Sequence, residues 1–419
     1  MSRVMKDSGI PWIGEIPKEW MFLRFKFAGK FVKGKLPETS NNENIGLPII
    51  GASEILGKEC RLYTEDVNIP TCTLNDVIIL WDGANAGITA TNLEGVISST
   101  AVKYSCKDNR VYKKYMAFLM KYAEYYFKEK VGGTTIPHMN IEYINDFPLL
   151  SPTLDEQQAI ADFLDVKCAE VDELIALQEK MIDELKVYKQ SVITEAVTKG
   201  LNPDAPLKDS GIEWIGQIPE HWSVDKCIRM FCIIGSGTTP KFTNEENIEG
   251  QINWIQSGDI NGGLLQESKY KISDKILKLT PALKIYNSPF IIIAMYGASV
   301  GNISLSEIDG CVNQACCVLS KANTILKFSF YSFRSAKDYL VQKAIGSGQP
   351  NINQEVIRSF WLPNPNTFEQ QQIADYLDTK CSEIDEMTSI KQQKIEQLKE
   401  YKKSIIYEYV TGKKQVNIE

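Results

Sequence analysis

The chain has only two histidines in 419 residues, His138 and His221, and none of its ten cysteines stands in a CxxC pair. Cys227 and Cys232 are five apart, as are Cys311 and Cys316, yet neither histidine is spaced to complete a tetrahedral zinc site with them. Free thiols packed as small apolar groups are the expectation, with no metal. Long apolar runs are missing too. The longest, PFIIIAM at Pro289–Met295, falls far short of the ~20 residues a membrane helix needs, and no signal-like apolar run opens the sequence. These absences lead to the expectation of a soluble, cytoplasmic protein with no membrane partner.

Charge of one sign is concentrated. Ser151–Gly200 holds five Lys against eleven Asp or Glu, whereas Met21–Leu150 has fifteen basic against fourteen acidic residues and Ser223–Leu362 fourteen against eleven. The overall −7 therefore sits mainly outside two long, near-neutral blocks. Each block is free to present a local basic face, so the total does not exclude a nucleic-acid partner. The length itself calls for two or three domains rather than one core.

What the sequence does contain is a repeat. KDSGIPWIGEIPKEW, Lys6–Trp20, returns as KDSGIEWIGQIPEHW, Lys208–Trp222, with eleven of fifteen residues unchanged. Glu156–Thr198 and Glu369–Thr411 align without a gap and share 23 of 43 positions. Between these lie fainter copies. WDGANAG, Trp81–Gly87, matches MYGASVG, Met295–Gly301, each after an apolar run (VIIL, FIIIA) that reads as a buried strand. PHMNIEYINDF, Pro137–Phe147, matches PNINQEVIRSF, Pro350–Phe360. The chain thus writes a phrase, a variable α/β block and a charged helix twice.

The charged segments read as long helices. Thr153 with Glu156, and Asn366 with Glu369, have capping-box spacing, and no Pro or Gly interrupts either run before Gly200 and Gly412. Stepping 4-3-4-3 from Leu164 passes through Val171, Ile175, Ile182 and Leu185; the second copy passes through Ile384, Ile395, Leu398 and Ile405. Such a seam predicts that the two tethered, equally long helices pair with each other.

This order of parts resembles the specificity subunit of type I restriction-modification systems. The carrying residues are the SGI-x-WIG-x-IP phrase in both copies, the two EQQ-x-IA-D-x-LD helix starts, and the endings at Ser191–Thr198 and Ser404–Thr411. The resemblance implies a pseudo-twofold tandem repeat: two α/β (α+β) target-recognition domains separated by long antiparallel coiled-coil helices. Its segments are residues 1–20, a phrase completing the second conserved region; 21–150 and 223–362, the recognition domains; 151–222 and 363–419, the conserved helical regions. The implied partners are double-stranded DNA, two methyltransferase subunits docked on the helices, and restriction subunits through the complex. The chain itself is then a reader without catalytic residues or cofactor.

The residues agree on the missing chemistry. The (Asp/Asn/Ser)-Pro-Pro-aromatic motif of amino-methyltransferases is absent, its nearest string being Asn364-Pro365-Asn366. GKFVKGKL, Gly29–Leu36, mimics a phosphate loop, but Leu36 stands where Ser or Thr should hold magnesium. His138, with no Cys or second His nearby, reads as a hydrogen-bonding surface residue rather than a general base. Lys33, Lys35, Asn85, Thr238, Thr239, Lys241, Ser299 and Gln349 sit beside glycines or prolines in the block loops and are the candidate phosphate or base-edge contacts. Each reads equally well as an ordinary solvated turn residue. Two other readings remain open: a protein-only scaffold with tandem α/β domains, or the reader of a related type II-like methylation system.

The seam gives a distance. From Cys168 to Ala196 it runs 28 residues, roughly 42 Å at ~1.5 Å per residue, against ~34–36 Å for a turn of DNA. Four residues inserted into both helices, near Gln178 and Lys391, add ~6 Å to each. The unspecified gap in the target should widen by about one to two base pairs, at ~3.4 Å each, with both half-sequences unaltered. Methylation mapping reads the gap, and an unchanged gap shows that the helices do not set it.

Overall fold

The computed structural model describes residues 3–10, 13–74, 76–129, 138–240, 250–343 and 351–416; Lys241 and Gln349 lie outside them. The chain divides into two compact units, Met1–Glu179 with Gln392–Glu419, and Lys180–Lys391. Each unit holds one phrase, one variable block and parts of both long helices.

In unit 1 the phrase is a β-hairpin, Met5–Asp7 with Glu15–Pro17. The block opens and closes on paired strands, Met21–Arg24 with Pro148–Ser151. Its main sheet is antiparallel and runs, edge to edge, Gly29–Lys33, Ala101–Cys106, Val77–Leu80, Thr89–Ala90. A second sheet contains the parallel pair Leu47–Ile50 and Gly95–Ile97. The helix Lys113–Glu129 buries Tyr115, Met116, Leu119, Met120, Ala123 and Phe127, the spacing of one helical face. Gly29–Lys33 of the segment that mimics a phosphate loop is an edge strand of the main sheet, paired with Ala101–Cys106.

Unit 2 repeats this plan. Its hairpin is Leu207–Asp209 with Gln217–Pro219, its closing pair Ser223–Lys226 with Trp361–Asn364. Its main sheet has Phe231–Ser236, Cys316–Ala322 and Phe290–Ala294 in the same order, extended by Ile303–Ser306 and Leu264–Leu265. The parallel pair returns as Ile252–Ile255 with Gly310–Val312. VIIL and FIIIA are fully buried strands in both sheets.

The glycine loops explain their shared letters. Gly83 and Gly87 have φ of 99° and 93°, and Gly297 and Gly301 have 85° and 75°, a region that costs a side-chain-bearing residue about 1–2 kcal/mol. Gly87 N–H donates to Leu80 O as Gly301 N–H does to Ala294 O, both at 2.8 Å, closing the same turn. The shared asparagines are caps: Asn140 Oδ1 accepts from Glu142 N–H and Asn353 Oδ1 from Val356 N–H, opening short helices at Ile141–Asn145 and Gln354–Ser359.

The first long helix is Leu154–Lys199 and the second Thr367–Val410. Within unit 1, Lys402 pairs with Asp172 at 2.6 Å; within unit 2, Lys189 pairs with Asp385 at 2.6 Å. Late residues of one helix meet early residues of the other in both units, so the pairing is antiparallel. The same lysine of the repeat meets the same aspartate of the opposite copy. Val171, Ile182, Ile384, Ile395 and Ile405 are buried, and Ile175, Leu185 and Leu398 half-buried, while most intervening positions are exposed. Lys391, in the polar middle of the seam, turns its ammonium to Met181 Sδ at 3.1 Å.

The capping boxes form by halves. Glu156 N–H donates to Thr153 Oγ1 at 3.4 Å and Glu369 N–H to Asn366 Oδ1 at 3.0 Å. The Glu156 carboxylate does not return to the cap: it accepts from Arg3 Nη1 at 2.5 Å and from the Trp20 indole N–H at 3.0 Å. A guanidinium and a buried indole donor outcompete the cap backbone. Glu369 accepts instead from Asn366 Nδ2 and from His221 Nε2, both at 2.9 Å. Among the described residues no helix is long and apolar enough to cross a membrane.

Two comparisons test which contacts stabilise each unit. Trp20, 1% exposed, should cost about 3–5 kcal/mol as Trp20→Ala, whereas Lys402→Ala, breaking a half-exposed ion pair, should cost no more than about 1 kcal/mol. Chemical denaturation of both variants reads the difference. In the glycine loop of unit 2, a Cβ on Gly297 meets nothing within 4 Å, while one on Gly301 runs into Val341 Cγ2. Gly297→Ala should therefore lose only the conformational ~1–2 kcal/mol and Gly301→Ala clearly more, measured the same way.

Candidate nucleic-acid interface

At one end of each main sheet three segments converge. In unit 1 they are the end of strand Gly29–Lys33, the glycine loop, and the turn between Gly95–Ile97 and Ala101–Cys106. Gly34 N–H donates to Ala101 O, Trp81 N–H to Thr100 O, and Met139 N–H to Trp81 O, all within 3.0 Å. Gly34 lies so close to Ile97 and Ser98 carbonyls that a Cβ has no room. Backbone, not side chain, builds this edge.

Unit 2 uses the same bonds. Met295 N–H donates to Ala315 O at 2.7 Å and Ile352 N–H to Met295 O at 2.8 Å, and Gly237 is pressed against Val312 O as Gly34 is against Ile97 O. Register makes the equivalence explicit. Lys33 pairs with Val102 and Val102 with Ile79; Ser236 pairs with Cys317 and Cys317 with Ile293. Ile79 and Ile293 each precede the first loop glycine by four residues. Ser236 thus stands where Lys33 does, Gln314 where Ser99 does, Tyr296 where Asp82 does, and Asn351 where His138 does.

On this edge the side chains differ. Asp82 accepts from His138 Nδ1–H at 2.6 Å and lies 3.6 Å from Lys33 Nζ. Lys35 is exposed beyond Lys33, and Asn85 is exposed on the loop that carries Asp82. Unit 2 carries no charge at the matching places. Thr239 donates its hydroxyl to Gln314 Oε1, Ser236 Oγ accepts from Gln354 Nε2 at 2.8 Å, Thr238 next to Thr239 is half-buried, and so is Ser299 on the glycine loop.

The structure therefore gathers Lys33, Lys35 and Asn85 around one edge and Thr238, Thr239 and Ser299 around its counterpart. Asp82, Ser99, Gln314 and Asn351 belong to the same edges but were not singled out from the sequence. The partners Asp82 and His138 are 56 residues apart, and no local pattern links them. The one signal was the aligned loop anchors, which place position 82 beside the first shared glycine.

Most of the thiols are buried. All ten cysteines are free. Burial pushes the Cys72 thiol up to about 11 and that of Cys317 to about 12, so neither is a thiolate near neutral pH. Among the described residues no group of three His, Cys, Asp or Glu side chains is placed to hold a metal.

The sequence profile of the type I restriction modification DNA specificity domain matches residues 17–187 and 219–411. The type I restriction enzyme MjaVIII specificity subunit of Methanocaldococcus jannaschii is 27% identical over 418 residues, covering 96% of this chain and 94% of that protein. The EcoBI specificity subunit of Escherichia coli is 22% identical over 395 residues, covering 89% and 81%. A solved chain from work on assembly and conformational transition of the type I R-M system aligns with a TM-score of 0.71 at 15% identity, over 95% of this chain and 99% of that one, a likeness of fold. The two matched segments take in both variable blocks, most of the first long helix and all of the second, and the chain belongs to the family of type I restriction modification DNA specificity domains.

Proposed function

We propose that this chain is the DNA-recognition subunit of a type I restriction-modification complex, in which the two blocks read the two halves of a split target and the paired helices set the gap. The observation that carries this is the reading edge: one backbone scaffold, held by the same hydrogen bonds in both units, displays Lys33, Asp82, Ser99 and His138 in one and Ser236, Tyr296, Gln314 and Asn351 in the other. A scaffold repeated for stability alone has no reason to keep these backbone bonds while changing the side chains displayed on them. Lys33, Lys35, Asn85, Thr238, Thr239, Lys241, Ser299 and Gln349 are the phosphate and base-edge contacts of this reading.

The chain supplies no catalytic group. Methyl transfer and cleavage belong to methyltransferase and restriction subunits with which it assembles. The helices support docking of two methyltransferase copies, because exposed apolar residues recur at repeated positions. Leu174, Leu177 and Tyr401 lie in unit 1 at 47%, 45% and 56% exposure, and their counterparts Met387, Ile390 and Tyr188 lie in unit 2 at 52%, 57% and 57%. Solvated helix faces rarely keep large apolar side chains at the same positions in two copies without a partner to cover them. Residues 1–20 complete the second conserved region, as Lys208–Trp222 completes the first, in a circular arrangement acting in the cytoplasm. A protein-only scaffold would leave the divergent edges unexplained.

Replacing Met21–Leu150 with a different recognition block, in the chain assembled with its partner subunits, should rewrite one half of the methylated motif and leave the other unaltered. Methylation mapping of a host carrying each version tests this. A swap that rewrites both halves, or no split motif from either version, rejects the two-reader arrangement.

A further inference from the structure

Resting on the reading of the blocks as DNA readers, we infer that Lys269, Lys271, Lys275 and Lys278 form a phosphate-binding stripe beside the unit 2 edge, and that the matching surface of unit 1 carries no such stripe. Residues 269–284 hold five Lys against one Asp, while the rest of Ser223–Leu362 has nine basic residues against ten acidic. The basic excess of that block lies wholly in this stretch. All five lysines are exposed, and none is ion-paired to a described carboxylate. Lys269 lies over the Tyr270 ring at 5.3 Å.

Local structure puts the four charges on one side. The strand Tyr270–Ile272 packs Tyr270 and Ile272 against a core with Trp254, Ile276 and Leu283, so Lys269 and Lys271 lie on the opposite side by alternation. In the helix Asp274–Leu279, Ile276 faces the same core, and Lys275 and Lys278, three apart, share the outer face. The stripe begins at the reading edge. Asn313, beside Gln314, donates its N–H to Ile255 O at 3.0 Å, and the Asp259 carboxylate accepts from Gln256 N–H at 2.9 Å and from Lys269 N–H at 3.4 Å. Backbone donors thus occupy that carboxylate, and it pins Lys269 next to the edge. Lysine is a compact charge without the rigid fork that reads a base edge, and it suits phosphate oxygens. Lys269 and Lys271 are ~7 Å apart along the strand, the rise of two base pairs at ~3.4 Å each. In unit 1 the strand Tyr63–Thr64 holds the same place, because Pro48 pairs with Tyr63 as Asn253 pairs with Lys271, each two residues before Ile50 or Ile255 in the parallel pair. Arg61 therefore matches Lys269, Tyr63 matches Lys271 and Val67 matches Lys275. Residues 61–76 hold one basic residue against three acidic. The scaffold is shared and the local charge is opposite, so the salt-dependent, sequence-independent part of binding falls mainly on unit 2.

The test uses the full chain assembled with its methyltransferase subunits. Its split motif is selected from a randomised duplex pool, and affinity for that duplex and for an unrelated one is then measured by fluorescence anisotropy across a salt series. Gln at all four lysines should reduce the slope of log K against log salt by about three to four, at ~0.9 per phosphate contact, equally on both duplexes. Both halves of the selected motif should stay the same. Arg at the four positions should keep the slope. Lys269→Gln with Lys271→Gln should lower it by about two, and the exposed pair Lys58→Gln with Arg61→Gln in unit 1 by clearly less. If the fourfold variant does not assemble, Lys275→Gln alone should lower the slope by about one. An unchanged slope, a rewritten half-motif, or an equal fall from the unit 1 pair overturns the stripe while the two-reader function stands. Failure of the single variants to assemble places these lysines against the methyltransferase and overturns it too. Selection of no split motif by the wild-type complex overturns the DNA-reading function itself.

Discussion

The indoles of Trp20 and Trp222, 1% and 2% exposed, are buried where one long helix ends and the other begins, and each unit is organised about that contact. In unit 1, Trp20 packs with Ile405, Ile406 and Val410 from the end of the second helix while its N–H reaches Glu156 at the start of the first. In unit 2, Trp222 shares a core with Ile193, Ala196 and Val197 from the end of the first helix and with Ile373 and Ala374 from the start of the second. The glycines that end the helices, Gly412 and Gly200, have φ of 71° and 76° and lie directly against these rings. A side chain there would meet aromatic carbon as well as conformational strain. The phrase is therefore a clasp that fixes the helix ends against each other and against the block, and the recognition edge inherits its position from it.

The energetics favour packing over charge. The ion pairs Lys402–Asp172 and Lys189–Asp385 are half-exposed, with aspartate side chains 58% and 65% accessible, and contribute little each. Their value is directional. A one-heptad slip would separate both pairs and bring Lys391 and Gln178 under the apolar part of the seam, so charge specifies the register that Val171, Ile182, Ile384 and Ile395 stabilise.

Much of this was legible in the sequence because it rests on short-range rules. The seam follows from 4-3 spacing, the buried strands from VIIL and FIIIA, and the loops from glycines that reappear at matching places with positive φ. The shared Asn140 and Asn353 were visible as matches, but their capping role emerged only with the short helices behind them. The capping boxes were half right, because a capping glutamate cannot be told from sequence to have a guanidinium and an indole waiting for it. The reading edge was least legible. Lys33 and Asn85 stand beside glycines and so drew notice, whereas Ser99 and Gln314 become equivalent only through strand register, and Asp82 meets His138 across 56 residues. Gln349 and Lys241 were chosen by the same glycine and proline rule.

The crossed lysine–aspartate pairs bear on how such a chain changes over time. Lys189 meets an aspartate 196 residues away and Lys402 one 230 residues away, each in the opposite copy. A charge reversal in one helix is thus compensated in the other copy, never in its own, and neither helix can drift alone. On each recognition edge the described side chains pair within their own block, Asp82 with His138 in one and Thr239 with Gln314 in the other. Divergence is held back where the copies answer to each other and released where they do not, which accounts for helices still sharing 23 of 43 residues beside blocks that keep little more than their glycines and caps.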